Sequence, residues 1–172
     1  IPKETSTSQE LDEWREVANN PTKYYVGVAL ARTGLILSQR GEVEMAQLNV
    51  DAAFSLALSI DQPQLALYAS DNLAVGLARA KQFEQASNYF EKSLGVYRTI
   101  NDTRGVVFCL GNLGVINANI GNLYKAADFF EQLLVIQEDS HSPTETLDDL
   151  MNIAALYTQL EEYEKAKNFW VK

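Results

Sequence analysis

Arg32, Asn72, Asn112 and Asn152 stand forty residues apart and carry the most pointed chemistry in the chain. A carboxamide both donates and accepts, so one asparagine can pair with one peptide unit. A ladder of three would grip an extended backbone with little regard for its side chains. Four residues before each rung stand Val28, Tyr68, Phe108 and Asp148; seven residues after it stand Gln39, Arg79, Asn119 and Gln159. Offsets of four and seven share one helical face. Arg32, Tyr68, Asn72, Arg79, Phe108, Asn112, Asn119 and Asn152 are therefore the candidate ligand contacts. Two other readings stay open at this level. The asparagines serve equally well as bonds between neighbouring repeats, and Tyr68 and Phe108 as rings packed between helices.

Catalysis needs convergent groups, and little here converges. His141, the sole histidine, sits in "DSHSPTE" without metal-ligating or nucleophilic neighbours. Cys109, the sole cysteine, lies among Val106, Val107, Phe108 and Leu110, where a buried thiol behaves as a small apolar residue. The pairs Asp148-Asp149 and Glu161-Glu162 read as solvated faces. No glycine loop is followed by the lysine and hydroxyl of a phosphate site. The expectation is a chain with no enzymatic activity, no cofactor and no metal.

Composition narrows the partners. The 172 residues carry a formal net charge of -9, with 47% hydrophobic and 22% charged residues, which is a globular balance. Such a charge argues against nucleic acid or an anionic membrane surface and leaves neutral or basic partners. No apolar run reaches the ~18 residues of a membrane span. One unpaired cysteine suits a reducing compartment, so cytoplasm is the expectation. Ile1 in place of methionine, and a helical pattern still running at Lys172, suggest a piece of a longer chain.

The elements that position the ladder repeat every forty residues. Gly34, Ala74, Gly114 and Ala154 form one series of small residues, and Ala46, Ala86, Ala126 and Ala166 a second, twelve residues on. Val50, Phe90, Phe130 and Trp170 follow four residues later. Small residues at fixed points permit close helix crossings, and the larger ones fill the space between. Apolar spacing predicts first helices at 23–39, 63–80, 103–120 and 143–160 and second helices at 42–59, 83–99, 123–138 and 163–172. Pro63 and Pro143 fall near helix starts, and Gly41 and Gly121 at the turns. Ser142 and Glu145 have capping-box spacing. A short helix at about 8–19, with Leu11, Trp14 and Val17, is expected to cover the end of the stack. Gly111 has no glycine counterpart, since Ala31, Asp71 and Met151 occupy its offset, and the pattern gives it no role.

"NLGVINANIGNLYKAADFF" (112–130), "NLAVGLARAKQFEQASNYF" (72–90) and "NIAALYTQLEEYEKAKNFW" (152–170) resemble the tetratricopeptide repeat. Its signature is a Leu-Gly pair, a small residue twelve positions after the glycine, and an aromatic four further on. "RTGLILSQRGEVEMAQLNV" (32–50) is a weaker copy, with Thr33 for leucine and Val50 for the aromatic. The usual repeat has 34 residues. A longer unit is similar to the variants of kinesin light chain and of adaptors rich in Leu-Gly-Asn repeats. HEAT repeats also run near forty, but the paired small positions favour the tetratricopeptide family.

The resemblance implies an all-α, right-handed α-solenoid of stacked helical hairpins with about four repeats. The expected division is an N-terminal segment, 1–22, then an array over 23–62, 63–102, 103–142 and a shorter 143–172. It implies a protein-interaction module whose concave groove holds an extended peptide or a helix of a partner protein. Two other expectations stand beside it: a peptide-sensing regulatory domain of a larger bacterial-type regulator, and a spacer that self-associates through Trp14 or Phe169-Trp170. A clamp for a C-terminal carboxylate is disfavoured, because Arg32 and Arg79 are the only basic groove candidates.

Overall fold

The computed structural model describes residues 21–140 and 143–170, with 138–140 and 143–148 described by backbone alone. Its eight helices are α1 (Pro21–Gln39), α2 (Val43–Ser59), α3 (Pro63–Arg79), α4 (Phe83–Thr99), α5 (Thr103–Asn119), α6 (Leu123–Ser140), α7 (Pro143–Gln159) and α8 (Tyr163–Trp170). No strand occurs among the described residues. All eight bounds lie within two residues of those expected from apolar spacing. The expected helix at 8–19, the Ser142 cap and His141 lie outside the described residues.

Among the described residues one corner is used six times. Gly41, Asp61, Lys81, Asn101, Gly121 and Glu161, at twenty-residue spacing or a multiple of it, all have positive φ, between 52° and 84°. At each corner the next amide donates to a carbonyl five residues back: Glu42 N to Leu37 O at 3.0 Å, Gln82 N to Leu77 O at 2.9 Å, Glu162 N to Tyr157 O at 2.9 Å. The corner amide itself donates three back, as Gly121 N does to Ala118 O at 3.1 Å. This is the Schellman arrangement, which satisfies the last carbonyls of each helix. Proline opens α1, α3 and α7, where its missing N–H costs nothing. Asp102 caps α5 by accepting from Gly105 N at 3.0 Å.

The chain forms two compact units, 1–73 and 74–172, divided inside α3. In the first unit α1 packs on α2. A Cβ placed on Gly34 would lie 2.6 Å from Val50 Cγ2 and 3.2 Å from the Ala46 carbonyl, so only glycine allows this crossing. A Cβ on Gly27 would lie 2.9 Å from Leu65 Cδ2, the tip of a side chain that can turn aside.

In the second unit α4 through α8 pack each on the next. Leu77, Phe90, Leu110, Leu113, Phe130, Leu133 and Ile153 are its largest fully buried apolar side chains. Ala126, Phe130 and Leu134 of α6 meet Ile153, Leu156 and Tyr157 of α7 and Ala166 of α8 in one cluster. Both small-residue series are buried throughout. The third series is not, because Trp170 is 57% exposed while Val50, Phe90 and Phe130 are buried. The contacts of α8 run mainly to α7. Side chains tie successive hairpins together away from the core. Lys125 Nζ meets Glu91 Oε1 at 3.0 Å, and Arg98 donates to Gln132 Oε1 at 3.0 Å. The Tyr157 hydroxyl donates to Glu131 Oε1 at 2.6 Å. Burial and then that bond hold the phenol protonated well above the ordinary tyrosine range.

Candidate functional site

In the second unit, α5 and α7 wall a cleft of about 960 Å³ over a floor given by α6. Phe108, Asn112 and Val115 come from α5, Asn152 and Asp149 from α7, and Leu133, Ile136 and Gln137 from the floor. Helical spacing delivers the α5 wall, since 108, 112, 115 and 119 recur at four, three and four residues. Val115, Asn119, Asn152 and Gln159 line a neighbouring hollow of about 230 Å³. Phe108, Asn112, Asn119 and Asn152 are thus brought together by the fold, as the spacing anticipates.

The asparagines are held by their own helices. Asn112 Nδ2 donates to Phe108 O at 2.8 Å and Asn119 Nδ2 to Val115 O at 2.8 Å. Asn72, in the first unit, donates to Tyr68 O at 2.7 Å. Each bond uses one of the two N–H groups of its carboxamide and leaves the oxygen and the second N–H outside that bond. At Asn72 and Asn112 the bond runs within the helix, not to the next repeat. Phe108 divides its surface: it packs edge-on to Phe90 at 5.7 Å between centroids and remains 41% exposed. Tyr68 is 45% exposed. Arg32 and Arg79 are exposed; Arg32 belongs to the first unit with Tyr68 and Asn72, and Arg79 does not line either hollow.

Three features of the cleft differ from the sequence reading. Arg104 lines it, so Arg32 and Arg79 are not the only basic candidates. Its signal was the i−4 step from Phe108. Asp149 is half-buried and accepts from Gln137 Nε2 at 3.0 Å, instead of standing as a solvated surface acid. Gly111 also lines the cleft, and a Cβ there would touch Leu133 Cδ1 at 3.4 Å. Its missing side chain leaves room at the floor. Of Asp148 only the backbone is described. Cys109 is fully buried. Among the described residues no group of three or more His, Cys, Asp or Glu could hold a metal ion, and no helix is long and apolar enough to cross a membrane.

Residues 67–103 match the family described as tetratricopeptide repeat. No curated protein matches the sequence. Among solved structures, the apo form of RapI superimposes with a TM-score of 0.71 at 14% identity, over 89% of this chain and 43% of RapI. BtubC (BKLC) from P. vanneervenii superimposes with a TM-score of 0.64 at 18% identity, over 83% of this chain and 59% of BtubC. PilF of Pseudomonas aeruginosa aligns with a TM-score of 0.48 at 17% identity, over 86% and 75% of the two chains. The chain therefore spans less than two thirds of RapI and of BtubC. It shares with them the fold of stacked helical hairpins.

Proposed function

From a chain of tetratricopeptide-repeat type, we infer a non-catalytic protein-interaction module. It holds an extended peptide or a helix of a partner protein in the cleft walled by α5 and α7. One observation carries this reading: Phe108, Asn112 and Asn152 line a single cleft of about 960 Å³, large enough for several peptide residues. Asn112 is clamped to its own helix, which presets the carboxamide for a ligand backbone and lowers the ordering cost of binding. Asn119 extends the contact line into the adjoining hollow. Arg79 in the second unit, and Arg32, Tyr68 and Asn72 in the first, are assigned contacts of the same kind. The array begins at about residue 23, after a capping segment, and works in the cytoplasm. A net charge of -9 favours neutral or basic protein partners over nucleic acid.

Asn112→Asp tests the reading at the same side-chain size. It removes both N–H donors, so partner affinity should fall by about 1–3 kcal/mol, the scale for spoiling a buried hydrogen bond. Proteins captured from source-cell lysate by the parent, and lost by Asn112→Asp at unchanged helicity, support the cleft. Equal capture by both places the binding surface elsewhere.

A further inference from the structure

Gly111 stands in the α5 wall of the cleft, and core packing does not require it. A Cβ there would meet Leu133 Cδ1 at an ordinary 3.4 Å, whereas one on Gly114 would lie 2.7 Å from the Phe130 ring. Glycine is also a poorer helix former than alanine, so the helix gains nothing from it. Phe108, three residues before, is 41% exposed, and Val115, four residues after, is 49% exposed. The three share one face, and the seven residues from Phe108 to Val115 span about 10.5 Å of helix. The wall therefore dips between two exposed apolar side chains. At these three offsets the other hairpins hold Val28, Ala31 and Leu35, then Tyr68, Asp71 and Val75, then Asp148, Met151 and Ala155. Only the third hairpin sets a glycine between two apolar residues. Resting on the peptide-binding reading above, we propose that this dip is the specificity pocket of the cleft. It takes one large apolar side chain of the peptide, leucine, methionine or phenylalanine, at a fixed place in the peptide sequence.

The lining favours that occupant over a polar one. Val107, Phe108, Val115, Leu133 and Ile136 all line the cleft, and none of their side chains can form a hydrogen bond. A polar side chain seated among them would give up its water without replacement. A large apolar one buries the open surface of Phe108 and Val115 together with its own. A small one leaves the space beside Gly111 unfilled and forfeits contacts on every side of it. The register follows from the neighbouring residue. Asn112, bonded to Phe108 O at 2.8 Å, comes directly after Gly111 in the chain. The peptide unit held by Asn112 therefore adjoins the side chain that fills the dip. Arg104 and Asn152 line other parts of the cleft and serve the polar groups of the flanking ligand residues.

The test selects a displayed library of random twelve-residue peptides on the full 172-residue chain. Leucine, methionine or phenylalanine should be enriched at one position. A synthetic copy of the consensus should bind the parent about tenfold to hundredfold more tightly than the same peptide with alanine there. Gly111→Met places in the dip the side chain that the fourth hairpin carries at this offset, Met151. It should bring the two peptides within about threefold of each other by weakening the consensus peptide. Gly111→Ala, a smaller filling, should give an intermediate preference, a grading by size that a purely structural role of Gly111 would not produce. Both replacements favour the helix, and circular dichroism checks it. If Gly111→Met does not fold, the reduced preference in Gly111→Ala decides. A consensus with no fixed apolar position, or a preference that survives undiminished in the variants, overturns the pocket and leaves the groove reading standing. A library with no enriched sequence overturns both.

Discussion

A methyl group added at Gly114 would lie 2.7 Å from the Phe130 ring, inside the contact distance of any real pair, and the ring is fully packed. One added at Gly111, a single turn away, meets only Leu133 Cδ1 at an ordinary 3.4 Å. Gly114→Ala should therefore destabilise the chain by about 1–3 kcal/mol through overpacking. Gly111→Ala should leave stability unchanged or raise it by up to ~1 kcal/mol, the helix-propensity difference. It should also weaken peptide binding, because the methyl enters the cleft. Urea midpoints for both variants, with a peptide titration of Gly111→Ala, check the pair. Gly114 was legible in the sequence because its offset recurs in every repeat. Gly111 was not, since a residue that makes room for a ligand leaves no periodic trace. Arg104 and Asp149 escaped for a related reason: the ladder compares equal offsets, whereas a cleft collects residues at unequal offsets from adjoining helices.

Helix bounds were the most legible feature, and the corners explain why. The same Schellman geometry returns at all six described corners, so α1 through α7 run 17 to 19 residues. Only Gly41 and Gly121 announce it by residue type. Asp61 and Asn101 are residues that tolerate the left-handed conformation, whereas Lys81 and Glu161 adopt it against their own preference because two backbone bonds and the packing of both flanking helices impose it. That strain is a testable reserve. Lys81→Gly and Glu161→Gly should each stabilise by about 0.5–1 kcal/mol, and Gly121→Ala should destabilise by about 1 kcal/mol. Thermal unfolding of the three single variants measures it, and a loss at Lys81→Gly would mean that its side chain contributes more than the backbone strain costs. Asp102 taught a different lesson. Its side chain caps α5, a role that the apolar spacing does not mark.

Repeat proteins distribute stability through nearest-neighbour packing, so local opening should follow burial helix by helix. Within the second unit the contrast is steep. Eight residues of α5, Gly105 to Asn117, are buried, whereas Ala166 is the buried residue of α8. What fastens α8 is a stack of Phe169 on Tyr157 at 5.8 Å, Lys165 over the same ring at 5.1 Å, and an exposed Lys165–Glu162 pair. Exposed pairs of that kind contribute little. Hydrogen exchange should therefore find the amides of α8 opening first and those of α5 and α6 last, with Leu110, Leu113 and Leu133 at the protected extreme. Removing the stack with Phe169→Ala should speed exchange in α8 by at least about tenfold and leave α5 unchanged, because their contacts are carried by different neighbours. The division at residues 73 and 74 was invisible to a forty-residue period, which reports what repeats and is silent on how strongly one copy holds the next. Uniform protection from α5 through α8 would show cooperativity reaching across the second unit, and a peptide bound between α5 and α7 would then slow exchange in α8 as well.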